Sequence, residues 1–184
     1  MTEDQPCRPL LLSFTQIHFA SLVFMLGYCT GIGPKLVAKV LNDPRTRDVA
    51  RIAVISDVRV LELGMRDAKV PPKYKVVPKV AAIDWAWDAV PEIDLCNIDP
   101  ARFKQGVVSA ESGKLTGDTL AYAIDLAKRG EIDAIIFAPL NKRAMFDGGW
   151  KFPDEHFELR RSISSGQQFS RSQPQESIVE DHSR

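Results

Sequence analysis

Hydrophobic and polar positions divide the chain into three stretches. From Leu10 to Leu26 the sequence reads LLLSFTQIHFASLVFML, an apolar run broken by Thr15, Gln16, His18 and two serines. Its length raises the question of a membrane anchor over residues 10–26, but the interruptions favour a buried strand or helix. The acidic start (Glu3, Asp4), with only Arg8 before the run, does not suit a secretory signal.

From about Thr30 to Leu159 strand-like and helix-like patterns alternate. Pro34–Leu41 has helical spacing, with Pro34 suited to a first turn. Arg51–Ser56 (RIAVIS) is a compact β-branched run, the pattern of a strand buried on both faces. Val58–Met65 predicts a helix ending at Gly64 or soon after. Tyr74–Val77 and Ile93–Cys96 predict short strands. Gly117–Lys128 places Leu120, Ala123, Ile124 and Ala127 on one helical face, with Gly130 as the expected cap. Ala134–Ala138 (AIIFA) predicts another buried strand. Alternating strands and helices imply an α/β fold with a mainly parallel sheet covered by helices. The last stretch, 160–184, is rich in Ser, Gln, Arg and Glu, without apolar periodicity, and is expected to be a polar, disordered tail.

Composition narrows the function. The 184 residues carry 24 basic and 24 acidic side chains, with 45% apolar and 26% charged residues. Such a balanced chain is no strongly basic nucleic-acid binder. The arginine and serine content of the tail does not change that, since acids accompany it. Cys7, Cys29 and Cys96 are far apart and form no CxxC pair, which points to free thiols in a reducing cytoplasm.

Four segments have candidate chemistry. Thr30-Gly31-Ile32-Gly33-Pro34 opens a helix, so Gly31 and Gly33 would let an anion approach free N–H groups; the same residues also make a tight turn before a Pro-started helix. Ser109–Thr119 (SAESGKLTGDT) offers Ser112, Gly113, Lys114 and Thr116 to a phosphate, or forms a loop N-capped by Thr116 or Asp118. Asn141 and Lys142 follow a strand, where α/β sheets bind ligands; an amide and an ammonium suit an anionic substrate there, and Lys142 could stabilise an enolate. A capping Asn beside a solvated Lys is the other reading. Asp154-Glu155-His156 offers metal ligands or a solvated turn.

Taken in order, GIGPKLVAKVL and VSAESGKLTGDTLAYAIDLAKRGEIDAIIFAPLNKRAMFDGGWKFPDEHFEL resemble the 4-hydroxythreonine-4-phosphate dehydrogenase family of pyridoxine biosynthesis. The FPDEH form resembles the branch acting on D-threonate or D-erythronate 4-phosphate. The resemblance implies an isopropylmalate-dehydrogenase-like fold, a homodimer, and NAD with a divalent metal (Zn, Mg, Mn or Co). The implied reaction oxidises a secondary alcohol β to a carboxylate, and the β-keto acid then loses carbon dioxide. It also implies roles in this chain. His156 would be a metal ligand. Asn141 and Lys142 would stand beside the phosphorylated substrate, with Lys142 catalytic. Ser112, Gly113, Thr116, Gly31 and Gly33 would line the site.

There are departures. Gly27-Tyr28-Cys29 stands where the family has Gly-Asp-Pro, Lys35 replaces a glutamate, and the preceding apolar run lacks the family's simple opening strand. The match stops at Leu159, in a family about twice as long whose other half supplies two metal histidines and most of the nicotinamide site. The expected organisation is therefore a divergent segment 1–29, a partial α/β domain 30–159 and a tail 160–184. Such a truncated chain is expected to be inactive or impaired and to expose apolar surface. Two other roles are open to it: a non-catalytic partner of full-length homologues, or a membrane-attached protein.

Overall fold

The computed structural model describes residues 20–71, 73–86 and 88–151. Five strands form one sheet: β1 (Ser21–Met25), β2 (Arg51–Ser56), β3 (Tyr74–Val77), β4 (Val90–Asp94) and β5 (Ala134–Phe137). Their order is β3-β4-β2-β1-β5 and every pairing is parallel. Five helices accompany them: α1 (Gly33–Asn42), α2 (Arg45–Val49), α3 (Val58–Ala68), α4 (Ala110–Lys128) and α5 (Lys142–Asp147). The α/β class expected from the sequence is the one observed.

The period of two along each strand sorts the core into two layers. Phe24, Ile52 and Val54 meet Val37, Leu41, Leu61 and Met65 of α1 and α3. Val23, Met25, Ala53 and Ile55 meet Leu120, Ala123 and Ile124 of α4 on the other side. Burial on both faces explains why these strands read as unbroken apolar runs.

The structure corrects several expectations. Ser21–Met25, the end of the apolar run, is the strand between β2 and β5. The α/β unit therefore begins before Thr30, and an opening strand is present after all. Residues 10–19 lie outside the described residues, and among those described no helix is long and apolar enough to cross a membrane.

Helix α4 starts at Ala110, not Gly117, because Ser109 Oγ accepts the Ser112 N–H and caps it. Neither Thr116 nor Asp118 is the cap; Asp118 pairs with Lys114. Helix α3 continues to Ala68, with Lys69 at φ 57° ending it, and Gly64 lies inside it. A Cβ on Gly64 would stand 2.4 Å from the Pro34 carbonyl oxygen, so this glycine lets α3 close onto α1. Strand β4 ends at Asp94, earlier than expected. There Asp94 Oδ1 accepts from the Cys96 and Val58 N–H groups, and Cys96 turns to φ 48°.

Candidate active site at the carboxyl end of the sheet

All five strands point the same way, so their carboxyl ends gather the loops that can bind a ligand. Two of these loops are locked together. Ala138 N–H donates to Met25 O at 3.1 Å and Tyr28 N–H to Pro139 O at 3.0 Å. Between these bonds Gly27 has φ +70°, and a Cβ there would sit 2.5 Å from the Ala138 carbonyl oxygen. Only glycine permits both the left-handed turn and the contact. Gly33 is equally confined, since its Cβ would lie 2.0 Å from Leu26 O. The β1–α1 loop bearing Gly31 and Gly33 thus lies directly against the β5–α5 loop bearing Asn141 and Lys142. Gly31 and Lys142 are exposed, Asn141 is half-buried and Gly33 is buried.

Asn141 caps α5: its Oδ1 accepts the Ala144 N–H at 2.9 Å, and its carbonyl accepts from Met145. The cap fixes the first turn of α5 and, with it, the starting point of the Lys142 side chain.

Ser112, Gly113 and Thr116 are placed differently. They stand in the first turns of α4 and are buried, not in a loop leading to it. Thr116 Oγ1 donates back to Ser112 O at 2.8 Å. Ser112 Oγ shares hydrogen bonds with Tyr28 Oη at 2.6 Å and Ser109 Oγ at 2.7 Å. A Cβ on Gly113 would stand 1.9 Å from Ala144 O. Gly113 therefore lets α5 rest on α4, while Ser112 and Thr116 bond to Tyr28, Ser109 and the α4 backbone. Lys114 is ion-paired with Asp118 and half-exposed.

Tyr28, which stands where the resembled family has an acid, ties the site together. It is buried; its Oη accepts the Ser109 N–H at 3.0 Å and reaches Ser112. Thr30 supports the same join, donating to Val107 O at 3.0 Å while its carbonyl accepts from Gly106. A lone aromatic after a glycine turn has no periodicity to mark it.

Two buried acids stand nearby, Asp57 just after β2 and Glu92 within β4. Asp57 is buried and caps α3; Arg59 grips it with two bonds of 2.9 and 2.8 Å, and Ile98 N–H adds a third at 2.9 Å. Burial pushes its pKa up, but these donors outweigh burial and hold it below the usual carboxylate range. Glu92 is fully buried, with Oε1 bonded to Ser56 Oγ at 2.6 Å and Oε2 without a partner. Burial, with smaller contributions from Asp94 and Asp57, raises it to about 8. The Cys29 thiol is pushed up to about 11 by burial and is no nucleophile at neutral pH.

His156 lies outside the described residues, as does the whole DEH segment. Among the described residues no group of three His, Cys, Asp or Glu side chains is arranged to hold a metal ion. The part of the site seen here does not by itself fit a catalytic divalent ion.

Comparison with known proteins gives this geometry a family. The model of the family "Pyridoxal phosphate biosynthetic protein PdxA" matches residues 48–171. A curated relative from Pasteurella multocida, whose name places it among the 4-hydroxythreonine-4-phosphate dehydrogenases, is 37% identical over 138 residues, 74% of this chain and 41% of its own length. The D-threonate 4-phosphate dehydrogenase of Cupriavidus necator is 35% identical over 134 residues, 73% of this chain and 40% of its own. The crystal structure of a 4-hydroxythreonine-4-phosphate dehydrogenase from Burkholderia phymatum superposes with a TM-score of 0.72 at 28% identity, covering 78% of this chain and 43% of that one. The chain thus spans about two fifths of the length of the curated relatives it matches. With a family model covering more than half its length, the chain belongs to the pyridoxal phosphate biosynthetic protein PdxA family.

Proposed function

We propose that this chain forms one flank of the active site of an NAD-dependent dehydrogenase acting on a four-carbon, 4-phosphorylated hydroxy acid. The substrates that fit the relatives' names are 4-hydroxythreonine 4-phosphate and D-threonate 4-phosphate. The observation that carries the reading is the locked pair of loops at the carboxyl edge. It sets the loop bearing Gly31 against the loop bearing Asn141 and Lys142, which supports a site where an anion would meet an ammonium, an amide and open backbone.

In this reading Lys142 lies beside the reacting carbons. Its ammonium donates to the oxygen that gains negative charge when the β-keto acid loses carbon dioxide. Asn141 orients the substrate, and its capping oxygen keeps α5 and Lys142 in register. NAD, when bound, accepts the hydride from the secondary alcohol. The divalent metal that the family resemblance implies needs donors beyond the described residues. A homodimer in the cytoplasm is the assembly implied by the family resemblance, and the free thiols Cys29 and Cys96 agree with a reducing compartment. Pairing with a full-length homologue is the second reading. It is favoured by the open edge of the sheet, where β5 pairs only with β1 among the described residues and Ile136 is partly exposed.

The test is binding and turnover by the full 184-residue chain with D-threonate, D-erythronate and 4-hydroxythreonine 4-phosphates. Isothermal titration should detect one of these acids, with affinity reduced about tenfold or more in Lys142→Ala. NADH formation should remain far below that of a full-length relative and rise on mixing with one. Equal binding by wild type and Lys142→Ala, or no binding of any of the three, would sink the reading.

A further inference from the structure

The end of the sheet opposite the candidate active site holds a cavity of about 400 Å³, at the amino ends of β2 and β4. Small-molecule pockets have volumes of roughly 300–1,000 Å³, so this one has room for a ligand. Leu41, Ile52 and Val90 give it an apolar floor, and the half-buried Trp85 adds an aromatic side chain. The dehydrogenase reading makes no use of it.

Two guanidinium groups line the cavity, and they are not equivalent. Arg47 is engaged: it donates to the Asp88 carbonyl at 2.6 Å and to the Asp88 carboxylate at 3.0 Å. Lys73 pairs with the same carboxylate. The side chain of Arg51 is half-buried and makes no hydrogen bond or ion pair with any described residue. Its backbone is nevertheless fixed, because its N–H donates to Ala20 O at 3.1 Å and Ile52 beside it belongs to the floor. The remaining charge is Asp84, which is exposed and accepts the Ala86 N–H at 3.0 Å.

These groups select a ligand. A guanidinium presents parallel N–H donors that match a carboxylate in a bidentate pair. A half-buried guanidinium gains more from that partner than a fully solvated one does. With one cation uncommitted, a single negative charge is matched. A phosphate dianion would have to draw Arg47 away from Asp88, or leave its second charge to face Asp84. The apolar floor rewards an apolar body, and an aromatic ring gains further by packing against an indole. A neutral hydrocarbon would fill the floor but leave Arg51 unused.

We propose that this cavity is a second ligand site, taking a small aromatic carboxylate with its ring among Trp85, Ile52 and Val90 and its carboxylate on the Arg51 guanidinium. The site is separate from the loops bearing Asn141 and Lys142 and does not depend on the reaction assigned to them.

Isothermal titration of the full 184-residue chain with phenylacetate and indole-3-acetate tests this, with phenylacetamide, acetate and inorganic phosphate as comparisons. At least one aromatic acid should bind. Phenylacetamide, which keeps a ring and loses the charge, should bind about tenfold more weakly or worse, and so should acetate, which keeps the charge and loses the ring. Arg51→Gln should abolish the preference for acid over amide. Trp85→Leu should weaken the acid about fivefold or more. Lys142→Ala should bind it as wild type does. Circular dichroism of each variant verifies the fold, and Arg51, already partly in water, is the substitution least able to disturb it. No binding of either aromatic acid overturns the proposal. So does equal binding of acid and amide, equal binding by wild type and Arg51→Gln, or phosphate binding as tight as that of the acids, which would make Arg51 a general anion contact. Binding lost in Lys142→Ala would put the ligand in the candidate active site and overturn it as well.

Discussion

Glu92 is the residue most out of place in this fold. It sits in the middle of a parallel sheet with one carboxyl oxygen bonded to Ser56 and the other unpartnered. Its pKa, near 8, lies well above the ordinary value of 4.5, so the folded chain holds a proton that the unfolded chain releases between those two values. Stability contributed by the neutral form is complete below about pH 4.5 and is lost as pH rises to about 8, with a slope of at most roughly 1.4 kcal/mol per pH unit. Glu92→Gln keeps the shape and the neutral state. Its melting temperature should match wild type near pH 5 and exceed it at pH 8.5, and thermal unfolding followed by circular dichroism across that range checks this. A variant that loses stability equally at both pH values would show that Glu92 is ionised in the fold. Tyr28 makes the complementary case, a polar group fully used. Tyr28→Phe removes the acceptor for Ser109 N–H and a partner of Ser112, which should cost about 1–3 kcal/mol in urea unfolding and loosen the β1–α1 loop.

At the scale of elements, the join between α4 and α5 positions Lys142, and glycines permit it. Besides Gly113 against Ala144, a Cβ on Gly117 would meet the Trp150 indole at 2.1 Å, and one on Gly148 would meet Lys114 N at 2.4 Å. Gly113→Ala has no room and no flexible neighbour to yield, because the obstacle is backbone. It should lose about 1–3 kcal/mol through overpacking and weaken substrate binding as α5 shifts. Gly130→Ala is the contrast: open space surrounds it, and only its φ of +69° opposes a side chain, so about 1–2 kcal/mol is expected with binding unchanged. Chemical denaturation with titration of the 4-phosphorylated acid separates the two. This join also marks where the sequence stopped being legible. RIAVIS was readable as a strand because burial on both faces leaves an unbroken apolar run; AIIF, expected to be a buried strand, is instead the half-exposed β5, an edge strand among the described residues. The start of α4 was not readable, because SAESGKLTG has the small, hydroxylic composition of a phosphate loop. Here Gly113 lies against the α5 backbone and Gly117 against Trp150, and composition alone does not distinguish approach by a ligand from approach by backbone. The Asn141 and Lys142 positions were legible for a simpler reason: a strand end in a parallel sheet is a fixed address.

At the scale of the whole molecule, the sheet has an open edge among the described residues. Among the described residues β5 pairs only with β1, and Ile136 on it is 38% exposed. On α1, Ile32, Leu36 and Val40 follow one another at intervals of four and are 59%, 40% and 41% exposed, so they form a single outward stripe. The buried face of α1 points to the sheet and α3, which leaves this stripe on the outer side. An apolar edge strand with neither charge nor proline invites pairing with another strand. The 184-residue chain should therefore self-associate. Sedimentation velocity should show a weight-average mass that rises with concentration, and Ile136→Lys should shift it toward the monomer without lowering the melting temperature, since the side chain it replaces is already partly in water. Lysine there places a charge on the open edge and makes any second strand bury it. A chain that stays monomeric at every concentration, with Ile136→Lys indistinguishable from it, would mean that something within these 184 residues already covers the edge.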